Sequence, residues 1–267
     1  MGWPAGVDLD PGRTILRRTE VFRRGTSLLG YVGLPIVLVA VSAAVYYWAS
    51  TQELDSIERR GLELAGRDGI VTAFYEHLTL SFVSTFFVIL IAVPAGVLLT
   101  RPGARALVPP ILALANIGQA VPSIGVLALL ALVWAIGFWP AIVALVAYSA
   151  LPVLRNTMAG LQQVDQSTIE AARGMGMTRG AVLMRIELPL AVPVILAGVR
   201  TALVINVGTA TLATFVNAGG LGDIINAGLT TNRPIVTLVG SVLAASLALF
   251  IDHLGGIAEG RLSPKGL

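Results

Sequence analysis

The stretch STIEAARGMGMTRGAVLMRIELP, Ser167 to Pro189, is charged and punctuated by glycine, yet it lies between long apolar runs. Ser167-x-x-Glu170 matches a capping box and predicts a helix start. Ala171, Ala172 and Arg173 extend that helix. Gly174 and Gly176 predict its end, because glycine enters the left-handed region without steric cost. Thr178 predicts the cap of a second short helix, on which Val182, Leu183 and Ile186 share one face. Pro189 predicts that this pattern does not simply run on. Two short helices at a sharp angle, held at a membrane surface, would form a lever for a soluble partner. The same pattern also fits an ordinary loop between two membrane helices.

The surroundings set the class. The chain has 267 residues, 55% of them hydrophobic and 12% charged, about half the charged fraction of a soluble globular domain. Several uncharged runs exceed the ~20 residues that a membrane helix needs, and none shows the ~10-residue alternation of a membrane β-barrel. The expected fold is an all-α polytopic membrane protein with about six transmembrane helices. There is no cysteine, which excludes a disulfide framework, a cysteine metal site and a thiol nucleophile. The two histidines, His77 and His253, form no HExxH, so no metal site is expected. The only lysine is Lys265. A phosphate-binding loop needs lysine within GxxxxGK[ST], so any nucleotide must be handled by another polypeptide. No catalytic residues and no nucleic-acid partner are expected.

Along the chain, residues 1–27 read as a basic cytoplasmic tail carrying Arg13, Arg17, Arg18, Arg23 and Arg24. Residues 28–49 are uncharged and end in Tyr46-Tyr47-Trp48, an interfacial aromatic anchor. This run is longer than a usual signal-peptide core and reads as a retained N-terminal helix. Residues 50–72 are acid-rich and read as an external loop with room for a short helix. A second helix is expected at 78–99. The uncharged stretch 106–154 is too long for one span; its prolines suggest a membrane-level segment at 106–120 and spans at about 122–137 and 141–156. A fifth helix is expected from 191 to about 215 and a sixth at 234–251, with 256–267 a cytoplasmic tail. Ala218 to Asp223 predicts an external tight turn or a re-entrant segment.

Two groups are candidates for a translocation pathway. Gln119, Pro122 and Ser123 flank a break at membrane depth, where irregular backbone survives only beside protein or a wet cavity; a proline kink satisfied by neighbouring helices fits as well. Asn206, Thr209, Ala213 and Asn217 are spaced by three, four and four residues and share one helix face. Such a stripe either glues helices together or lines water. Arg200 either snorkels to the surface or serves a function within the membrane.

Basic residues test this layout. Thirteen of the 18 fall in the proposed inside segments and four in the outside ones, with Arg200 set aside. The asymmetry predicts both termini and residues 167–189 in the cytoplasm.

Glu170-Ala171-Ala172, Gly176, Ile186, Leu188 and Pro189 resemble the EAA signature of ABC-importer permeases: Glu-Ala-Ala, three residues, Gly, nine residues, Ile-x-Leu-Pro. The segments EHLTLSFVS (76–84), PAGVLLTR (94–101), QAVPSIGVLALL (119–130), ALPVLRNT (150–157), ELPLAVPVILAGVRTA (187–202) and GTATLATFVNAGGLGDII (208–225) resemble the glycine betaine, carnitine and choline branch of that family. The resemblance implies a type I importer fold over residues 73–255, preceded by one extra N-terminal helix. It implies that 167–189 is a coupling helix docking on an ATP-binding subunit. It further implies two such subunits, which bind ATP and Mg, a second permease (identical or homologous), an extracytoplasmic substrate-binding protein and a bacterial inner-membrane location among lipid. The expected cargo is a quaternary ammonium osmoprotectant. An amino acid or sulfonate importer is the alternative, and an ion-coupled secondary transporter, which would carry paired membrane acids or inverted repeats, is the rival class.

Overall fold

The computed structural model describes residues 28–63 and 69–262. The basic tail 1–27, part of the 50–72 loop and residues 263–267 lie outside the described residues. Among the described residues every regular element is helical. The α-helices are α1 (Leu28–Ser50), α2 (Ser56–Gly61), α3 (Ile70–Leu99), α4 (Val108–Ala120), α5 (Ser123–Val133), α6 (Phe138–Gln162), α7 (Gln166–Gly174), α8 (Arg179–Val182), α9 (Leu188–Thr209), α10 (Leu221–Thr230) and α11 (Pro234–Leu262), with 3-10 turns at Pro102–Leu107 and Ala210–Val216.

Among the described residues, five runs are long and apolar enough to cross a membrane: α1, α3, α6, α11 and the continuous run Arg179–Val216 that contains α8 and α9. A sixth arises if α4 and α5 form one span, but these are bent by 96° at Val121-Pro122. The span expected at 122–137 is thereby corrected. With 11 residues, α5 rises only about 16 Å, half the ~30 Å of a hydrocarbon core. Its end comes at Trp134, which leaves helical geometry. Gly137, at φ 117, then donates its N–H to the Val216 carbonyl at 2.6 Å and starts α6. Three helices also differ in extent from those expected. Helix α3 begins at Ile70 and absorbs Glu76 and His77, α6 runs from Phe138 to Gln162, and α11 continues to Leu262 through part of the expected tail.

The packing centre is α6 against α3 and α9. Val88, Val153, Leu154 and Ala202 fill its middle. Leu80, Leu127, Leu145 and Val216 fill one end, and Leu161, Ala191 and Ile195 the other. Small residues let these helices approach closely. A Cβ on Gly96 would meet Thr157 at 2.7 Å, and one on Gly198 would meet Asn156 at 2.7 Å. Membrane helices associate through such backbone approach rather than by expelling water. The N-terminal α1 lies on α11, where His253 Nε2 donates to the Tyr31 carbonyl at 2.9 Å. At the far end of α1, Tyr46 Oη donates to the Leu62 carbonyl beyond α2, and Asp55 pairs with Arg233. The outward faces of α1 and α3 keep Ile36, Val39, Phe86 and Ile91 exposed, as expected of surfaces that meet lipid.

The turn expected at 218–223 leads into α10. Leu221, Ile224 and Gly228 are buried on one face of that helix, which packs on α11.

Candidate coupling segment and pathway wall

Helix α7 starts earlier than the capping box implied. Asp165 is the N-cap, and its Oδ1 accepts the Ser167 N–H at 2.8 Å. Ser167 therefore lies inside the helix. Glu170 accepts from Gln166 Nε2 at 3.5 Å instead of reaching back to a cap. An aspartate two residues before the serine offers a charged acceptor for the same orphan N–H groups, and it wins. The Met175, Gly176 and Met177 amides fold back onto the carbonyls of Ala171, Arg173 and Ala172. Gly176 takes φ 86, so the turn rests on this glycine; Gly174 remains in the helix. Thr178 caps α8 as expected, accepting from the Ala181 N–H at 3.3 Å.

Ile169, Ala172 and Val182 are buried together, with Val164, Met177 and Ile186 packed around them. This small cluster joins α7 to α8. Glu170, Ala171, Arg173 and Gly176 face outward, and Met175 is 77% exposed at the tip. The signature positions therefore divide. Glu170, Ala171 and Gly176 lie on the open surface, Ala172 and Ile186 hold the two short helices together, and Leu188 packs beneath them against the cluster of Leu161, Ala191 and Ile195.

Pro189 does not interrupt the helix. Residues Leu183–Glu187 form a π turn, in which the Leu188 N–H bonds the Leu183 carbonyl five residues back. A proline clashes with the carbonyl four residues before it, and the widened turn accommodates it. The run Arg179–Val216 thus spans 38 residues, roughly 57 Å at helical rise and close to twice the hydrocarbon thickness. Such a rod must project beyond the apolar layer. The π turn is also fastened sideways. Glu187, whose side chain is 5% exposed, accepts from Arg101 Nη2 at 2.6 Å and from Nη1 at 3.3 Å.

The candidate pathway residues occupy three separate places. Gln119 and Ser123 are half-buried, and Pro122 is exposed at the α4–α5 bend. There Leu114, Ile117, Leu129 and Leu132 present an open apolar surface. Asn206 is fully buried and donates from Nδ2 to Thr85 Oγ1 at 2.9 Å, so in this conformation it joins α9 to α3. Thr209 ends α9, half-buried. Asn217, at φ 55, lines a cavity of about 580 Å³ together with Arg60, Glu76 and Asp223, at the end opposite α7.

A polar stripe on α3 is absent from the sequence-based candidates. His77, Ser81, Ser84 and Thr85 are all buried at helical spacing, which was its available signal. His77 Nε2 donates to the Val207 carbonyl at 2.8 Å, and Glu76 accepts the Gly220 N–H at 3.0 Å. Arg200 does not simply snorkel. It makes paired 2.8 Å bonds to Asp252 and a 3.3 Å bond to Glu259 on α11. Among the described residues no group of three or more His, Asp or Glu could hold a metal ion.

A projecting pair of short helices at the root of a long membrane rod, within a bundle of five or six spans, can be set against known proteins. The family model for the binding-protein-dependent transport system inner membrane component matches residues 92–264. The chain belongs to this family. Its relatives include the choline transport system permease protein OpuBB of Bacillus subtilis (strain 168), 43% identical over 72% of this chain and 88% of the relative. The glycine betaine/carnitine/choline transport system permease protein OpuCB of the same organism is 39% identical over 81% and 96%. The osmoprotectant import permease protein OsmY of Salmonella typhimurium is 39% identical over 87% and 95%. Among solved structures, the MetNI methionine ABC transporter is similar with a TM-score of 0.64 and 30% identity, over 73% of this chain and 96% of that one. A bacterial alginate ABC transporter shares the fold at a TM-score of 0.60 over 96% and 99%. The all-α fold of an ABC-importer permease expected from the sequence is thus the fold observed. The chain is an inner-membrane permease of the ABC-importer type.

Proposed function

We propose that this permease imports a quaternary ammonium osmoprotectant of the glycine betaine, carnitine and choline class. It does so as a subunit pair with a second permease, above two ATP-binding subunits that hold ATP and Mg. An extracytoplasmic binding protein delivers the cargo. The reading rests on the relatives' named cargoes, and the mechanism rests on α7 and α8. These carry an outward surface of Glu170, Ala171, Arg173, Met175 and Gly176 over a small apolar anchor. Glu170 and Gly176 meet the ATP-binding subunit, with Glu170 orienting the short helix and Gly176 shaping its turn. The excess of arginine at this end supports placing it, and both termini, in the cytoplasm.

Closure of the ATP-binding subunits pushes α7–α8, and the rod behind them tilts. The bend at Gln119, Pro122 and Ser123, with Thr209 and Asn217 beyond it, forms the wall that opens alternately to the two sides. The wall needs only low affinity, because recognition of a quaternary ammonium by an aromatic cage belongs to the binding protein. An importer of an amino acid or sulfonate remains the second reading, favoured by the similarity to a methionine transporter.

The test is affinity purification of the tagged chain from its native membrane. The expected result is co-purification of an ATPase, lost when residues 167–189 are deleted, and of a binding protein that binds glycine betaine, choline or carnitine. A binding protein selective for an amino acid would move the cargo to the second reading. A chain that transports in liposomes under an ion gradient without any ATPase would overturn the mechanism.

A further inference from the structure

The signature fixes Ile186, Leu188 and Pro189 but leaves the position between them free, and here it is Glu187. This carboxylate is almost entirely buried at the last position of the π turn. A buried charge is costly unless it is fully partnered. Its partner comes from 86 residues away. Arg101 presents two nitrogens to the two carboxylate oxygens, at 2.6 and 3.3 Å. The guanidinium is itself held. Its Nε donates to the Val97 carbonyl at 3.3 Å and to Thr100 Oγ1 at 3.2 Å, and Nη2 donates to Thr100 Oγ1 at 3.1 Å. Two-pronged bonding between planar groups fixes orientation as well as distance.

The pair sits where two long helices meet the coupling segment. Glu187 is the residue immediately before α9, and Arg101 lies just past the end of α3. At its other end α3 holds Gly220 through Glu76 and the Val207 carbonyl through His77. A displacement of α7–α8 therefore has two routes into the bundle. One is covalent, through the π turn into α9. The other crosses from Glu187 to Arg101 and enters α3.

We propose that Arg101 is a positioning residue for transport: its paired bonds to Glu187 fasten the π turn to α3, so that α3 and α9 move together when α7–α8 are displaced. The proposal rests on the coupling role assigned to α7–α8. It follows that removing the pair lets α9 move without α3, so that ATP is hydrolysed with less cargo carried.

A plain staple would behave differently. Buried ion pairs replaced as a unit by apolar residues are often as stable as before, whereas removing one partner is damaging. The informative variant is thus the double substitution Arg101→Met with Glu187→Leu, beside Arg101→Lys, which keeps the charge but loses the two-pronged geometry. Each is co-expressed with its ATP-binding and binding-protein subunits and reconstituted in liposomes. The cargo probe is whichever of glycine betaine, choline, carnitine and methionine the wild-type complex imports. Melting temperature, retained ATPase subunit and ATP hydrolysed per solute imported are measured.

The expected result is an intact, normally melting complex in which ATP consumed per solute rises at least three-fold in the double variant. Arg101→Lys should lie between it and wild type, and the exchange Arg101→Glu with Glu187→Arg should recover part of the ratio. A double variant with the wild-type ratio would overturn the proposal. So would a fall in uptake that tracks lost melting temperature at an unchanged ratio, since that marks a structural staple. If the wild-type chain retained no ATP-binding subunit, the coupling role would fail first, and the proposal with it.

Discussion

Replacing Gly176 tests the proposed coupling segment at the one residue of 167–189 that takes a positive φ. The residue adopts φ 86, and a Cβ built there meets nothing within 4 Å. Any effect of a small side chain in the free protein is therefore conformational rather than steric. Holding an L-residue in left-handed geometry costs about 1–2 kcal/mol, which reduces the population of the native turn by a factor of about 5–30. Asparagine tolerates this region better than alanine, and a β-branched residue tolerates it worse. Uptake in liposomes with the partner subunits should therefore follow Gly, then Asn, Ala and Val, with Gly176→Ala reduced several-fold and Gly176→Val close to inactive. Membrane insertion and melting temperature should stay near wild type in all three, because the turn is exposed and outside the helical core. The order separates strain from crowding, since asparagine is larger than alanine. An alanine variant with full activity beside an impaired asparagine variant would refute the argument, as would binding-protein-stimulated ATPase activity and uptake retained by Gly176→Val.

Three further substitutions address the bundle. Asn206→Leu removes the bond to Thr85; interhelical bonds of this kind average about 0.6 kcal/mol in membranes, so melting should fall by only a few degrees. If Asn206 serves α3–α9 adhesion in every state, uptake per folded molecule is unchanged; a selective loss of uptake would return it to the pathway wall. Gly222→Ala drives a Cβ into the Thr211 backbone carbonyl, while Gly103→Ala meets nothing within 4 Å. The first should abolish accumulation of folded protein and the second leave it intact, as judged by size-exclusion profiles after solubilisation.

Much of the bundle was legible because long apolar runs with little or no charge announce membrane spans, and α1, α3, α6, α9 and α11 followed from them. The bend between α4 and α5 was not legible in extent. Residues 106–154 carry no charge, so nothing in composition marks α5 as a short segment set at 96° to α4. The Thr178 cap and the Gly176 turn were readable from local chemistry. The Ser167 box was a true local pattern outcompeted by Asp165, two residues earlier. Pro189 looked like an interruption because the π turn that absorbs it has no simple sequence pattern. The Arg101–Glu187 and Arg200–Asp252 pairs join residues 86 and 52 positions apart, and only the folded chain brings them together.

The absence of cysteine from all 267 residues makes the central claim directly testable by single-cysteine cross-linking. Met175→Cys places a thiol at the exposed tip between α7 and α8, and Leu132→Cys, at a residue 84% exposed on α5, serves as the control. In native membranes a short thiol–amine cross-linker should join the Met175→Cys chain to an ATP-binding subunit, with a yield that changes on adding Mg-ATP. The Leu132→Cys chain should stay unjoined to that subunit. A Met175→Cys chain that transports at the wild-type rate yet never cross-links to an ATPase, under conditions where other contacts of the complex do, would contradict the assignment of α7–α8 as the coupling segment.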